Sequence, residues 1–242
     1  MYTFSSRVRY SEMDHPSGTL KLSSIINYFQ DCSTFQSEDS KLELSNLHTK
    51  NRLWLLTSWQ LQIKHPALLG EFITVGTWAY DFKGFYGYRN FIMKDEREEI
   101  LSVANSVWVY IDAETGRPIK VPTDASNCKL EQPYPMEYTQ RKVELWGDFI
   151  SYPSFPVIKS NIDSYNHVNN GQYIKMAEEF LPENSITLGM RVEYKMQAVL
   201  GDIIVPKVSI HNDYYTVVLT DLTQKPYAII EFQMKNNEEQ SL

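Results

Sequence analysis

The chain repeats itself, and the repeat restricts it to folds built from two like units. Lys64-His65-Pro66-Ala67-Leu68-Leu69-Gly70-Glu71-Phe72-Ile73 returns 131 residues later as Lys195-Met196-Gln197-Ala198-Val199-Leu200-Gly201-Asp202-Ile203-Ile204. The shared skeleton is Lys-x-x-Ala-(Leu/Val)-Leu-Gly-acid-apolar-Ile. Upstream, Tyr10-Ser11-Glu12-Met13-Asp14 lines up with Lys159-Ser160-Asn161-Ile162-Asp163, each run leading into a predicted helix. Four positions after Asp14 stands Gly18, and four after Asp163 stands His167. A duplicated unit is therefore expected, with the chemistry kept in the second copy. The 242 residues suffice for two units of ordinary size.

Each copy reads as a helix followed by long strands. Leu22, Ile25, Ile26, Phe29, Cys32, Phe35 and Gln36 recur at three- and four-residue spacing, which predicts a long helix with one almost wholly apolar face. Asp14, Ser17 and Gly18 supply turn and cap chemistry before it. Strands are expected over Arg52–Lys64, Phe72–Phe82, Tyr86–Lys94 and Ile100–Ile111, rich in β-branched and aromatic residues and divided by Gly, Pro or charged turns. In the second copy, Tyr173, Ala177, Phe180 and Leu181 mark a shorter helix stopped by Pro182. Strands then follow over Ile186–Met196, Ile203–Ile210, Tyr214–Thr220 and Tyr227–Met234. Between the copies, Val121 to about Phe149 carries Pro122, Pro133 and Pro135 without sustained periodicity, and this linker is expected to lie draped over the surface. One helix wrapped by an antiparallel sheet, twice over, is the pattern of an α+β double hot-dog whose two sheets can join edge to edge. The expected division is 1–128, a linker at 129–148, and 149–242.

Composition narrows function mainly by exclusion. A formal net charge of −7 argues against a general nucleic-acid or anionic-membrane binder, whose affinity rests on clustered cations. Cys32 and Cys128 form neither a disulfide framework nor a metal spacing, and reduced thiols are the default. Met1 to Arg7 lacks a basic segment followed by an apolar core, and no run approaches transmembrane length. A cytoplasmic protein without membrane insertion is expected. Absence of a phosphate-binding glycine loop and of metal-spaced His/Cys sets predicts neither metal nor organic cofactor.

The stretch from Asp163 to Tyr173 (Asp-Ser-Tyr-Asn-His-Val-Asn-Asn-Gly-Gln-Tyr) is the densest polar cluster of the second copy, at a loop-to-helix junction. Backbone N–H groups in the first turn of a helix lack intrahelical partners and carry partial positive charge. A carbonyl placed against Val168, Asn169 and Asn170 would have its developing oxyanion stabilised. Asp163 and His167 can orient or deprotonate a water there. The plainer readings are an Asx-turn role for Asp163, a cap role for Asn169 or Asn170, and a packed loop histidine at 167. His15, His48, His65 and His211 have no comparable surroundings.

These residues resemble the acyl-acyl carrier protein thioesterases of bacteria and plant plastids, over almost the whole chain. His167-Val168-Asn169-Asn170-x-x-Tyr173, with an aspartate four residues before the histidine, is similar to the family's most specific motif. Leu53 to Trp59, Arg89 to Asp95, Ser102 to Tyr110 and Thr115-Gly116-Arg117-Pro118 resemble its strands and the turn that follows. The resemblance implies hydrolysis of fatty acyl thioesters of acyl carrier protein, with the active centre in the second hot-dog and the acyl tail in a tunnel shaped by the first. Ile25, Ile26, Phe29, Trp54 and Trp78 are then expected tunnel lining. Asp163 would activate water or attack directly, His167 would assist, and Asn166 and Gln197 would contribute. Two positions depart from the family pattern: Tyr165 stands at the usual asparagine, and Gln197 at the usual glutamate. A glutamine can position a water but cannot take its proton. The alternatives are an acyl-CoA thioesterase and a non-hydrolytic acyl-carrier-binding protein of the same fold; a hot-dog dehydratase is disfavoured by Gly18. Monomer and homodimer are both compatible with a duplication that already supplies the hot-dog pairing internally.

Overall fold

The computed structural model of the chain describes residues 1–14, 17–39, 51–122, 129–183 and 185–235. His15, His48 and Cys128 lie outside the described residues. The first unit comprises β1 (Tyr2–Arg7), α1 (Leu22–Asp39), β2 (Arg52–Ile63), β3 (Phe72–Lys83), β4 (Tyr86–Lys94) and β5 (Ile100–Asp112). The second comprises β6 (Ile150–Ser151), β7 (Phe155–Pro156), α2 (Asn170–Glu178), β8 (Thr187–Tyr194), β9 (Ile203–His211), β10 (Tyr214–Thr220) and β11 (Pro226–Met234). The strand order is β1-β3-β4-β5-β2-β8-β11-β10-β9-β6, with β7 adding to β9. The long strands fall where β-branched and aromatic residues predicted them. The short strands β1, β6 and β7 were not foreseen, and α2 closes at Glu178, leaving Phe180 and Leu181 in the turn beyond it.

The halves meet at β2 and β8, which run antiparallel with Ser58 opposite Glu193, Gln60 opposite Arg191 and Gln62 opposite Gly189. Gln60 and Arg191 are the same position of the repeat, each four residues before its lysine. Their flanking pairs exchange symmetrically, so an internal two-fold axis passes through this pair. The expected edge-to-edge joining is what the structure shows: an α+β double hot-dog.

Both helices lie on one face of the sheet. Ile26 and Phe29 of α1 are fully buried, and Phe29 packs against Trp59 at 6.2 Å and Phe91 at 5.3 Å between ring centroids. Ser, Asn and Thr make α1 a poor helix by intrinsic propensity. Burying each large apolar side chain is worth about 1.5–3 kcal/mol, which outweighs propensity differences of a few tenths. Phe35 departs from the expected apolar face: it is largely exposed and meets Phe4 of β1 edge-on at 5.2 Å.

The linker crosses the opposite face. Gln60 clamps it twice, Nε2 donating to Glu137 O at 2.6 Å and Oε1 accepting from Thr139 N at 3.0 Å. Its symmetry mate Arg191 donates to Gln140 O at 2.8 Å and Lys142 O at 2.7 Å. Polar side chains on this face thus bond the linker's backbone and hold it against the sheet.

Candidate active site

The loop before α2 is held by bonds from its own backbone. Asp163 N–H donates to His167 O at 2.8 Å, and Ile162 bridges to Val168, closing a tight turn over Ser164, Tyr165 and Asn166. Asp163 Oδ1 accepts from Tyr165 N–H at 2.8 Å and from His167 N–H at 3.4 Å. No described residue bonds its other oxygen, so one oxygen builds the turn and the other is left without a partner among the described residues. Asn166 adopts a left-handed φ of 64°, which asparagine tolerates better than most residues. The structure gives it a conformational place and no side-chain partner among the described residues. Tyr165 is exposed at 63%. His167 is half-buried, and its Nδ1 is buried with no partner among the described residues.

The three expected oxyanion donors are not equivalent. Val168 N–H donates to Ala198 O at 2.9 Å, and Asn169 N–H to Asn161 O at 2.9 Å. Both amides are consumed in anchoring the loop, which corrects the expectation that they face a ligand. Asn169 caps α2, its Oδ1 accepting from Gly171 N–H at 2.8 Å. The Asn170 N–H alone of the three meets no acceptor among the described residues. Gln197 is exposed; it directly precedes Ala198, so its backbone stands beside the anchored loop.

The first unit shows why it lacks such a site. Asp14 N–H donates to Thr19 O at 2.7 Å, the counterpart of the Asp163–His167 bond. Thr19, not Gly18, therefore occupies the place of His167, because the first loop is one residue longer. At the start of α1, Leu22 and Ser23 N–H both donate to Glu178 Oε1, at 2.9 and 3.4 Å. A carboxylate from the last turn of α2 thus fills the amide end of α1. The symmetry-related place at α2 holds Gln30, which meets the Asn170 side chain at 3.3 Å and leaves the Asn170 backbone amide open. Sequence reasoning missed Glu178 and Gln30, and the correct loop alignment is the signal that pairs them.

Glu178 also predicts a pH dependence. Burial pushes its carboxyl above the ordinary glutamate range, although the bonds from Leu22 and Ser23 pull the other way. The folded state then holds this proton more tightly than the unfolded chain does. Stability from this group declines as pH rises from the ordinary glutamate range through the raised folded value. Glu178→Gln keeps an acceptor oxygen for both amides and should flatten that decline. Urea midpoints compared between about pH 4 and 8 measure it; equal slopes in the two proteins would contradict it.

Of the expected tunnel residues, Ile25, Ile26 and Phe29 share one buried cluster between α1 and the sheet. Trp54 packs against Tyr110 at 4.8 Å and Phe82 at 5.8 Å, directly over Gly87, where an added Cβ would come within 2.9 Å of its ring. Trp78 is a correction. Strand alternation turns Ile73 and Val75 toward the helices and Trp78 away, into a separate cluster with Ile92 and Val103, its Nε1 donating to Gln132 O of the linker at 2.9 Å. Two open concavities of about 430 and 470 Å³ lie along the linker, and neither is lined by Asp163 or His167. Among the described residues, no helix is long and apolar enough to cross a membrane.

Comparison with known proteins bears on the family and the fold. A family model described as the acyl-ACP thioesterase N-terminal domain matches residues 1–128. The chain is 24% identical over 205 residues to the chloroplastic palmitoyl-acyl carrier protein thioesterase of Cuphea hookeriana, covering 75% of this chain and 49% of that one. It thus spans about half the length of that curated relative. Among solved structures, an acyl-ACP thioesterase from Bacteroides thetaiotaomicron superposes with a TM-score of 0.88 at 18% identity, covering 96% of this chain and 97% of that one. The 12:0-ACP thioesterase from Umbellularia californica gives a TM-score of 0.82 at 14% identity, covering 96% and 97%. At these identities the two structures share the fold.

Proposed function

From the premise that the chain belongs to the acyl-ACP thioesterase family, we propose that it hydrolyses fatty acyl thioesters of acyl carrier protein to free fatty acid and the carrier's thiol. The observation that carries the reading is the junction at α2. An Asp163 carboxylate oxygen, a buried His167 ring nitrogen and the Asn170 amide, each without a partner among the described residues, belong to this one loop-to-helix junction, and at α1 the matching amides are filled.

In this reading the thioester carbonyl oxygen lies against the Asn170 N–H, which is free to strengthen its bond as charge develops. Asp163 takes a proton from water as it attacks the carbonyl carbon, or attacks that carbon itself to form an acyl anhydride that water then hydrolyses to the free acid. The tetrahedral intermediate collapses with cleavage of the C–S bond, and the proton taken from water is passed on through His167 to the departing thiolate. Gln197, on the anchored corner, holds the water or the carbonyl. The acyl tail runs into the first unit past Ile25, Ile26 and Phe29 toward Trp54. Residues 149–242 then carry the chemistry, residues 1–128 the tail, and 129–148 the connection between them. The free, buried Cys32 fits a cytoplasmic setting.

The test is to present one acyl chain on two carriers and follow thiol release. Faster release from acyl carrier protein than from CoA supports the proposal. The reverse order makes the chain an acyl-CoA thioesterase. Binding without release from either carrier would make it an acyl-carrier-binding protein, as a glutamine at position 197 would allow.

A further inference from the structure

Among the differences between the two units is a buried hydrogen bond on the corner that carries Gln197. Leu20 N–H donates to Ala67 O at 2.9 Å in the first unit, as Val168 N–H does to Ala198 O in the second. The flanks match as well: Leu68 N–H bonds the Glu71 carboxylate at 2.9 Å, and Val199 N–H bonds that of Asp202 at 2.9 Å. Among the described residues, only the second unit adds a bond from the helix, Ala198 N–H donating to Tyr173 Oη at 2.8 Å. Tyr173 is the fourth residue of α2, and the fourth residue of α1 is Ile25, which has no hydroxyl.

The residue before the alanine differs too. The first unit has Pro66 there, whose ring fixes φ without outside help. The second has Gln197, which gains an amide side chain and loses the ring constraint. A bond from a buried hydroxyl restores the rigidity that the ring would have given. The Tyr173 ring is itself fixed: it is 2% exposed and lies 6.0 Å from the Tyr194 ring, whose hydroxyl donates to Asn170 O at 3.0 Å.

We infer that Tyr173 is a positioning residue, whose hydroxyl holds the Ala198 peptide and thereby fixes Gln197 beside the Asp163–His167 loop. The inference rests on the thioesterase reading for its kinetic consequence, but the bond itself is a property of the fold. Burial pushes the Tyr173 hydroxyl up to about 12, so at neutral pH it is an uncharged hydroxyl that accepts from the Ala198 amide.

The test uses the full chain with Tyr173→Phe, alone and combined with Gln197→Ala. Tyr28→Phe is the control: its hydroxyl bonds Glu12 Oε2 at 2.7 Å in the first unit, away from the site. Amide hydrogen exchange should rise about tenfold across 195–202 in Tyr173→Phe and stay at the wild-type level across 64–71. Loss of one buried bond should lower kcat about tenfold with KM within about twofold, and Tyr28→Phe should keep kcat within about twofold. In the Gln197→Ala background the Tyr173→Phe effect on kcat should shrink below about twofold, because the two act as a unit. Unchanged exchange at 195–202, or an equal kcat loss in both backgrounds, overturns the inference. Should wild type release no thiol from any carrier, the thioesterase reading falls, and the exchange measurement alone decides for or against the staple.

Discussion

Asp163→Asn is expected to lower turnover of acyl carrier protein thioesters by about a thousandfold while leaving the thermal midpoint within about 1 °C of wild type. The two halves of that result come from the two oxygens of one carboxylate. Oδ1 builds the turn by accepting from the Tyr165 and His167 amides. An asparagine side chain supplies the same acceptor, so the loop keeps its shape. It supplies no anion to deprotonate water or attack a carbonyl, so the chemistry stops. Asp163→Ala removes both functions and should also lower the midpoint, by about 2–4 °C for the loss of roughly 1 kcal/mol in a chain of this size. A turnover that survives in Asp163→Asn and falls in Asp163→Ala would make the residue a turn former only.

Replacing His167 should separate activity from stability in the opposite way. His167 Nδ1 is buried without a partner among the described residues, and an unpaired buried nitrogen costs about 1–3 kcal/mol. His167→Phe fills a similar volume and removes the unsatisfied nitrogen. Turnover should fall by about a hundredfold to a thousandfold, the range for a lost proton donor, while the midpoint stays level or rises. Thermal unfolding and single-turnover thiol release on the same preparations measure both. A variant that loses stability and turnover in proportion would mean that His167 is a packed loop residue.

The long strands were legible because their alternation of β-branched and aromatic residues is strong and their turns are marked by glycine, proline or charge. β1 was not, because Tyr2–Arg7 carries little apolar content and is held by its register against β3. Strand faces were less legible still. Irregularities between Leu56 and Ser58 and between Ala79 and Asp81 interrupt simple alternation, and even where alternation holds, from Ile73 to Trp78, residue type did not tell which face meets the linker. The candidate loop could be located from its residue types, but its equivalence to the first copy could not. A single extra residue between Asp14 and Thr19 is invisible to counting and plain in the backbone bonds. Which amides are spent on the fold is a property of neighbours distant in sequence. Asn161, Ala198 and Glu178 decide it, and none stands out by composition.

The most direct test of the account is thiol release from acyl carrier protein loaded with a series of acyl chains, wild type beside Asp163→Asn. The account predicts release by wild type that varies with chain length, and loss of that release in a variant that remains folded. Release that Asp163→Asn retains, or none from wild type across the series, would contradict the assignment of hydrolysis to the α2 junction.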